Sequence, residues 1–204
     1  MTMHDRRRNQ IPREHILDLG DYERRREEIR PRAIAARALR RVELGPNATV
    51  SFENRETVAY QIQEMLRTER LAKEEEVRHE IETYSDLLPS DDELSATMMF
   101  EFPTAEGRAR RLAELVGFEN HLRLEIDGAG ASRAYFDRRQ VDADRISAVQ
   151  FIRFTLDETQ RRALASGGRV RLVADHPTYA HTVELPEATS RALAADLEEM
   201  AANV

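Results

Sequence analysis

Residues 41–70 read RVELGPNATVSFENRETVAYQIQEMLRTER, and they contain the change from strand to helix that decides the fold. Arg41–Leu44 and Thr49–Phe52 are short runs typical of strands. Gly45-Pro46-Asn47 between them is a strong turn signal. We therefore expect a β-hairpin here.

The second part of the same stretch predicts a helix that begins directly after the hairpin. Asn54 is a good N-cap residue because its side chain can accept a hydrogen bond from a free backbone N–H of the first turn. Apolar residues then recur at helical spacing, at Val58, Ile62, Met65 and Leu66. This pattern indicates an amphipathic helix with one face on a core.

Helices flank this stretch on both sides. A charged helix is expected over roughly 21–41 with Asp21 as its N-cap, and Pro31 predicts a kink or a division into two shorter helices. Lys73–Glu82 predicts a further, mostly solvated helix.

Beyond residue 90 the pattern changes to alternating and continuous apolar runs. These predict strands near 96–102, 122–126, 132–136, 148–156, 170–174 and 181–185. The run at 148–156 is apolar on both faces, which is typical of a central strand. The sum is an α+β protein whose helical N-terminal half packs on a mainly antiparallel sheet of about six strands. We expect a partly mobile N-terminal arm over residues 1–20 and one domain over residues 21–204.

Composition narrows the function classes. The chain has 204 residues and no cysteine, which excludes disulfides, thiolate metal ligands and cysteine nucleophiles. No apolar run reaches the length of a membrane span, and the N-terminus lacks the apolar segment of a secretory signal. We therefore expect a cytoplasmic protein that does not bind membranes.

Charge is distributed unevenly along the chain. The net charge is −7, yet residues 1–41 contain 12 arginines and 7 acidic residues, a net charge of +5. Such a segment could bind nucleic acid. Acidic residues alternate with the arginines, however, so we favour a salt-bridged helix surface over a nucleic-acid site.

The 52–70 helix also carries an unusual number of polar side chains. Residues 60, 63 and 67 form one row, and residues 61 and 64 form another. Arginine would bind a carboxylate or phosphate, whereas glutamate would hold a cation or act as a base. The alternative is a polar network that pins the helix to the sheet. The candidate ligand-binding residues are Glu53, Arg55, Tyr60, Gln61, Gln63, Glu64 and Arg67.

A second group of candidates follows the strand at 170–174. Asp175, His176 and His181 offer one carboxylate and two imidazoles, which suit zinc or non-haem iron. Glu53 or Glu64 would have to complete such a site. The spacing matches no established metal motif, and His176 before a proline is also typical of a turn. Phosphate-binding, dinucleotide-binding and hydrolase motifs are absent from the sequence.

The stretches LGP, FEN and YQIQEMLR, together with DHPTY at residues 175–179, carry a family resemblance. The chain resembles an uncharacterised bacterial family known only as a domain of unknown function. Genes of that family often lie beside genes for rubrerythrin-like proteins and iron–sulfur oxidoreductases. The resemblance therefore implies a link to iron or peroxide handling, and it transfers no catalytic residue.

Three functional hypotheses follow. We favour a binding or accessory protein that docks an iron or redox protein through its N-terminal helices, or binds a small ligand. The alternative is a metal-dependent enzyme that uses Asp175, His176 and His181 with Glu53 or Glu64. The third is nucleic-acid binding through the arginine-rich helix. The residues leave a homo-oligomer open.

Overall fold

The computed structural model describes residues 10–137 and 144–202. In these two ranges the chain forms six α-helices and nine β-strands. The helices are α1 Leu19–Ala38, α2 Arg55–Glu69, α3 Glu74–Ser85, α4 Ala105–Glu114, α5 Glu158–Ala165 and α6 Glu187–Ala202. The strands are β1 Arg41–Glu43, β2 Ala48–Glu53, β3 Glu93–Phe100, β4 Leu122–Ile126, β5 Gly130–Arg133, β6 Tyr135–Phe136, β7 Val149–Thr155, β8 Val170–His176 and β9 Tyr179–Glu184.

The strands form two antiparallel sheets. The larger sheet has the order β1-β2-β3-β7-β6, and the smaller has the order β5-β4-β8-β9. The sheets adjoin where β5 passes into β6, and the Ser132 hydroxyl donates to the Thr155 carbonyl at 2.8 Å. The predicted α+β class is confirmed. We expected about six strands in one sheet, and the structure divides a larger number between two.

Two apolar cores hold these layers together. The larger core fills the space between the inner faces of the sheets, where Val50, Met98 and Phe154 meet Leu124 and Leu172 with no solvent exposure. The smaller core joins α2 to α3 and to the N-terminal segment, through Ile11, Ile16, Val58, Ile62, Leu66, Val77, Ile81 and Leu88. Val58, Ile62 and Leu66 of the predicted apolar face of α2 are thus buried against helices, whereas Met65 is only half-buried.

α1 is a single helix, so the predicted division at Pro31 is wrong. A proline removes the hydrogen bond to the carbonyl four residues earlier, here that of Glu27. Pro31 and Glu27 are both exposed, so water can take the place of the lost donor. The helix also begins earlier than expected, with Asp18 rather than Asp21 at the N-cap position.

The predicted N-terminal arm falls partly on residues 1–9, which lie outside the described residues. From residue 10 onward the chain packs against α3. Ile11 and Ile16 are buried in the smaller core, and the Ile11 N–H donates to the Ser85 hydroxyl at 3.1 Å. In the described ranges no helix is both long and apolar enough to cross a membrane.

Candidate functional site

Glu64, a candidate from the α2 rows, connects α2 to α1. The Arg26 guanidinium donates two hydrogen bonds to its carboxylate, at 2.7 and 2.8 Å. The Tyr22 hydroxyl donates a third at 2.5 Å. The hydrogen bond from Arg26 is the main cause that lowers the pKa of Glu64 to about 2, against the opposing effect of burial. Glu64 is therefore ionised at neutral pH, and its charge is neutralised within the protein.

Gln63 and Arg67 also connect α2 to the N-terminal segment. The Gln63 side chain accepts a hydrogen bond from the Leu17 N–H at 2.8 Å and donates one to the Leu17 carbonyl at 3.0 Å. Arg67 Nε lies 2.8 Å from the Glu23 carboxylate of α1. These contacts form a polar network, but they join α2 to α1 and to the segment before it, whereas the predicted alternative to a ligand site joined the helix to the sheet.

The other candidates near this helix have different partners. Arg55 donates to the Gln10 carbonyl at 3.2 Å. Gln61 forms a hydrogen bond with the Tyr84 hydroxyl of α3. Tyr60 is half-buried and lies near Tyr22 and Arg26. These side chains share no common partner in the described ranges.

Glu53 lies on the outer face of the larger sheet at the end of β2. It is buried, and it accepts hydrogen bonds from the hydroxyls of Thr57 at 2.7 Å and Thr97 at 2.9 Å. The next residue, Asn54, caps α2 as predicted, by accepting from the Thr57 N–H at 2.9 Å. Glu53 and Glu64 thus have separate sets of partners.

The two predicted histidine ligands contact protein groups. His176 is buried, with Nε2 3.2 Å from the Val116 carbonyl and Nδ1 3.0 Å from the Thr178 hydroxyl. A carbonyl oxygen only accepts, so Nε2 carries a hydrogen in this arrangement. The His181 ring packs edge-on against Tyr179, with 4.5 Å between ring centroids.

Asp175 has partners that the sequence reasoning missed. Its carboxylate contacts Nδ1 of His121 at 2.8 Å and the guanidinium of Arg123. The hydrogen bond with His121, followed by that with Arg123, lowers the pKa of Asp175. His121 directly precedes β4 and Arg123 lies within it, and β4 pairs with β8. Apolar and polar residues alternate along β4, which places Arg123 on its outward face. The local sequence did not indicate which strand would pair with β4.

These contacts bear on the predicted iron or zinc site. Within the described part of the chain, no group of three or more histidine, cysteine or acidic side chains is placed to hold a metal ion. The ring nitrogens of His176 and the carboxylates of Glu53 and Glu64 already contact protein groups. The metal site stays a prediction without a described ligand set.

Three arginines of α1, Arg24, Arg26 and Arg32, form ion pairs within the fold. Arg24 pairs with Asp21, and Arg32 Nη2 lies 3.5 Å from Glu28. Together with the Arg26–Glu64 pair, these contacts confirm the predicted salt-bridged helix surface. Pairing of this kind lowers the positive field that a nucleic acid would meet.

The outer face of the larger sheet exposes apolar side chains on neighbouring strands. Tyr135 is 62% exposed, and Val149 and Phe151 are each 38% exposed. Met99 of β3 lies directly opposite Val149 and is half-buried. We call Met99, Tyr135, Val149 and Phe151 the apolar sheet patch.

The sequence indicated only the part of the apolar sheet patch that lies on β7, at Val149 and Phe151. We expected β7 to be a central strand because both of its faces are apolar. β7 does lie between β3 and β6, and its inner face is buried. At one end of its outer face, Arg153 donates to the Leu88 carbonyl after α3 at 3.1 Å. The outward apolar residues Val149 and Phe151 are thus partly exposed, and they do not indicate a strand that is buried on both faces.

Comparison with known proteins places this two-sheet α+β fold in one family. Residues 10–197 match the family described as "Protein of unknown function (DUF3501)", and the chain belongs to it. A solved structure of a novel protein of unknown function from Burkholderia pseudomallei is similar, with 30% sequence identity and a TM-score of 0.85. The match covers 92% of this chain and 98% of that one. No curated protein matches the chain in sequence. The family predicted from the sequence is confirmed.

Proposed function

We propose that this protein is a cytoplasmic binding or accessory protein that docks another protein on the apolar sheet patch. One observation carries the proposal, namely the exposure of Tyr135, Val149 and Phe151 beside Met99 on neighbouring strands. Aromatic residues and methionine are enriched in the centres of protein interfaces. A contiguous apolar surface on a folded protein often marks a binding site.

The surroundings of the apolar sheet patch support a protein as its occupant. On the same face, β1 and the end of β3 supply charged residues of both signs, with Arg41 3.9 Å from the Glu101 carboxylate. At the other end, Arg153 forms an ion pair with Glu93 at 2.9 Å. An apolar centre with a polar rim is the usual anatomy of a protein interface. Four central side chains fit a small and transient contact.

The partner we propose is a protein of iron or peroxide handling, as the family resemblance implies. The surface of this partner would carry apolar side chains that contact Tyr135 and Phe151, surrounded by polar groups. This part of the proposal is tested separately from the location of the docking site.

The experiment is chemical cross-linking in cells, followed by affinity purification and mass spectrometry. It compares the wild type with Tyr135→Glu, which places a charge in the apolar sheet patch, and with Ile34→Glu as the matched control. Ile34 is also an exposed apolar residue, 47% exposed on α1 against 62% for Tyr135. We expect proteins of iron or peroxide handling to be recovered with the wild type and Ile34→Glu, and to be lost with Tyr135→Glu.

Each other outcome overturns a defined part of the proposal. Selective loss with Ile34→Glu would move the docking site to the N-terminal helices, which the sequence first suggested. Recovery that is unchanged by Tyr135→Glu would refute docking on the apolar sheet patch. Partners that have no role in iron or peroxide chemistry would refute the proposed partner class.

A further inference from the structure

β9 forms one edge of the smaller sheet, and its only strand partner in the described ranges is β8. Just past the end of β9, the Leu185 N–H donates to the Val170 carbonyl at 2.8 Å. This bond fixes which residues of β9 direct their backbone groups toward β8. In an antiparallel pair, alternate residues exchange hydrogen bonds with the neighbour, and the residues between them point their backbone groups away. Residues 180, 182 and 184 therefore direct N–H and C=O groups outward.

Among the described residues, β9 itself has none of the prolines, lysines or bulges that usually protect an open strand. Ala180, Thr182 and Glu184 are all exposed, and the strand contains no proline, lysine or arginine. Natural proteins usually protect such edges with prolines, lysines, bulges or a covering segment. One glutamate at the end of β9 is weak protection. The outward backbone groups are therefore available to another strand.

We propose that β9 pairs with β9 of a second copy of this chain, antiparallel and across a two-fold axis at Thr182. The pairing is self-complementary because Thr182 then faces the partner's Thr182, and Ala180 faces the partner's Glu184. The three facing pairs exchange about six backbone hydrogen bonds, two for each pair. The two smaller sheets become one continuous sheet.

The charges of β9 favour a second copy over an unrelated strand. Its only charged residue, Glu184, meets a small neutral residue in this register, so no like charges face each other. A threonine pair on the axis is also a favourable cross-strand contact. Strand pairing alone buries less than a standard interface of about 1,200–2,000 Å². The dimer therefore forms reversibly and depends on protein concentration.

The test combines sedimentation velocity over a range of concentrations with residue-resolved amide hydrogen exchange on the full chain. We expect a shift from monomer to dimer with concentration, together with slower exchange at residues 180, 182 and 184. Thr182→Lys places two positive charges on the axis and should leave a folded monomer, because an edge strand tolerates lysine. The matched control is Ala131→Lys, an exposed position on β5 at the opposite edge of the same sheet, and it should dimerise normally.

A second variant keeps the test decisive if Thr182→Lys does not fold. Thr182→Pro removes an N–H that the smaller sheet does not use, and it should abolish the dimer as well. A wild type that stays monomeric at every concentration, with fast exchange at Thr182, would overturn the inference. A dimer that survives both variants, or that Ala131→Lys disrupts equally, would overturn it too. These readouts do not depend on the partner proposed for the apolar sheet patch.

Discussion

Arg40 and Asp196 form a buried ion pair that joins the end of the first helix to the last one. Nε and Nη2 of Arg40 each lie 2.7 Å from a carboxylate oxygen of Asp196. Asn54, the cap of α2, donates to the same carboxylate at 2.9 Å. The end of α1 and the cap of α2 therefore meet the last helix at one carboxylate.

The first prediction concerns this ion pair. Arg40→Met should lower the free energy of unfolding by about 3–5 kcal/mol, because it leaves the charge of Asp196 buried without its main partner. The double variant Arg40→Met/Asp196→Leu should recover much of that loss, since it removes both charges. Urea denaturation monitored by circular dichroism measures both. As a control, Arg32→Met breaks only an exposed pair on α1 and should cost less than about 1 kcal/mol. An equal loss for the single and double variants would contradict this account.

The second prediction concerns pH. The pKa of Glu64 is lowered from 4.5 to about 2 in the folded protein. A carboxyl with a lowered folded pKa stabilises the protein above its unfolded pKa, and this stability is lost as the pH falls through the folded value. Glu64→Gln should therefore lose stability at neutral pH and show a smaller decrease between pH 4.5 and 2. We expect a difference of about 1–2 kcal/mol, because solvent screens this half-exposed group.

Guanidinium denaturation at a series of pH values measures this effect. Glu56→Gln serves as a control because Glu56 is an exposed carboxyl on the same helix. Parallel pH curves for the wild type and Glu64→Gln would show that the carboxyl is not stabilised by Arg26 and Tyr22.

The third prediction concerns the hairpin turn. Gly45 has φ = +74°, and a Cβ added there would lie 2.5 Å from Cδ2 of the His181 ring. Gly45→Ala should cost about 2–4 kcal/mol, through backbone strain together with the clash. Gly128 also has a positive φ, +76°, but no atom lies within 4 Å of its added Cβ. Gly128→Ala therefore isolates the backbone contribution, about 1 kcal/mol.

A double-mutant cycle checks the origin of the Gly45 effect. In a His181→Ala background, Gly45→Ala should cost only about as much as Gly128→Ala, because the ring is gone. Thermal unfolding of the four variants is sufficient. Additive effects of the two substitutions would mean that the ring moves aside without cost.

The fourth prediction separates structure from metal binding at His176. His176→Ala should destabilise the protein by about 1–2 kcal/mol, since it removes the hydrogen bond from β8 to the Val116 carbonyl after α4 and the hydrogen bond to Thr178 in the β8–β9 turn. We expect the metal content of untagged, dialysed protein to be the same in the wild type and in the variant. Elemental analysis measures it. Stoichiometric iron or zinc in the wild type, lost in His176→Ala, would instead support the metal-dependent enzyme.

The parts of the fold that depend on sequence neighbours were predictable. The hairpin turn at Gly45, the cap at Asn54 and the apolar stripe of α2 all arise from contacts within a few residues. The division at Pro31 was overpredicted because Glu27, whose carbonyl loses its hydrogen bond to the proline, is exposed, so that water can replace the lost donor. Exposure of that carbonyl cannot be read from the helix alone.

The contacts of the candidate residues join segments that are distant in the chain. Local sequence patterns do not predict such contacts. The sequence identified Glu64 as a residue of interest, but its partner Arg26 lies 38 residues away on another helix. Asp175 likewise meets His121 at a separation of 54 residues. Periodicity indicates which face a residue occupies, whereas the order of strands and the docking of helices decide what it touches.

The sequence separation of the Arg40–Asp196 pair has a consequence for synthesis on the ribosome. The two residues are 156 positions apart, so at about 5–20 residues per second Arg40 is made about 8–30 s before its partner. The smaller core needs only residues between Ile11 and Leu88, so it can assemble early on the nascent chain. The larger core extends to Leu197, and the sheets acquire their final stability only when α6 has been translated.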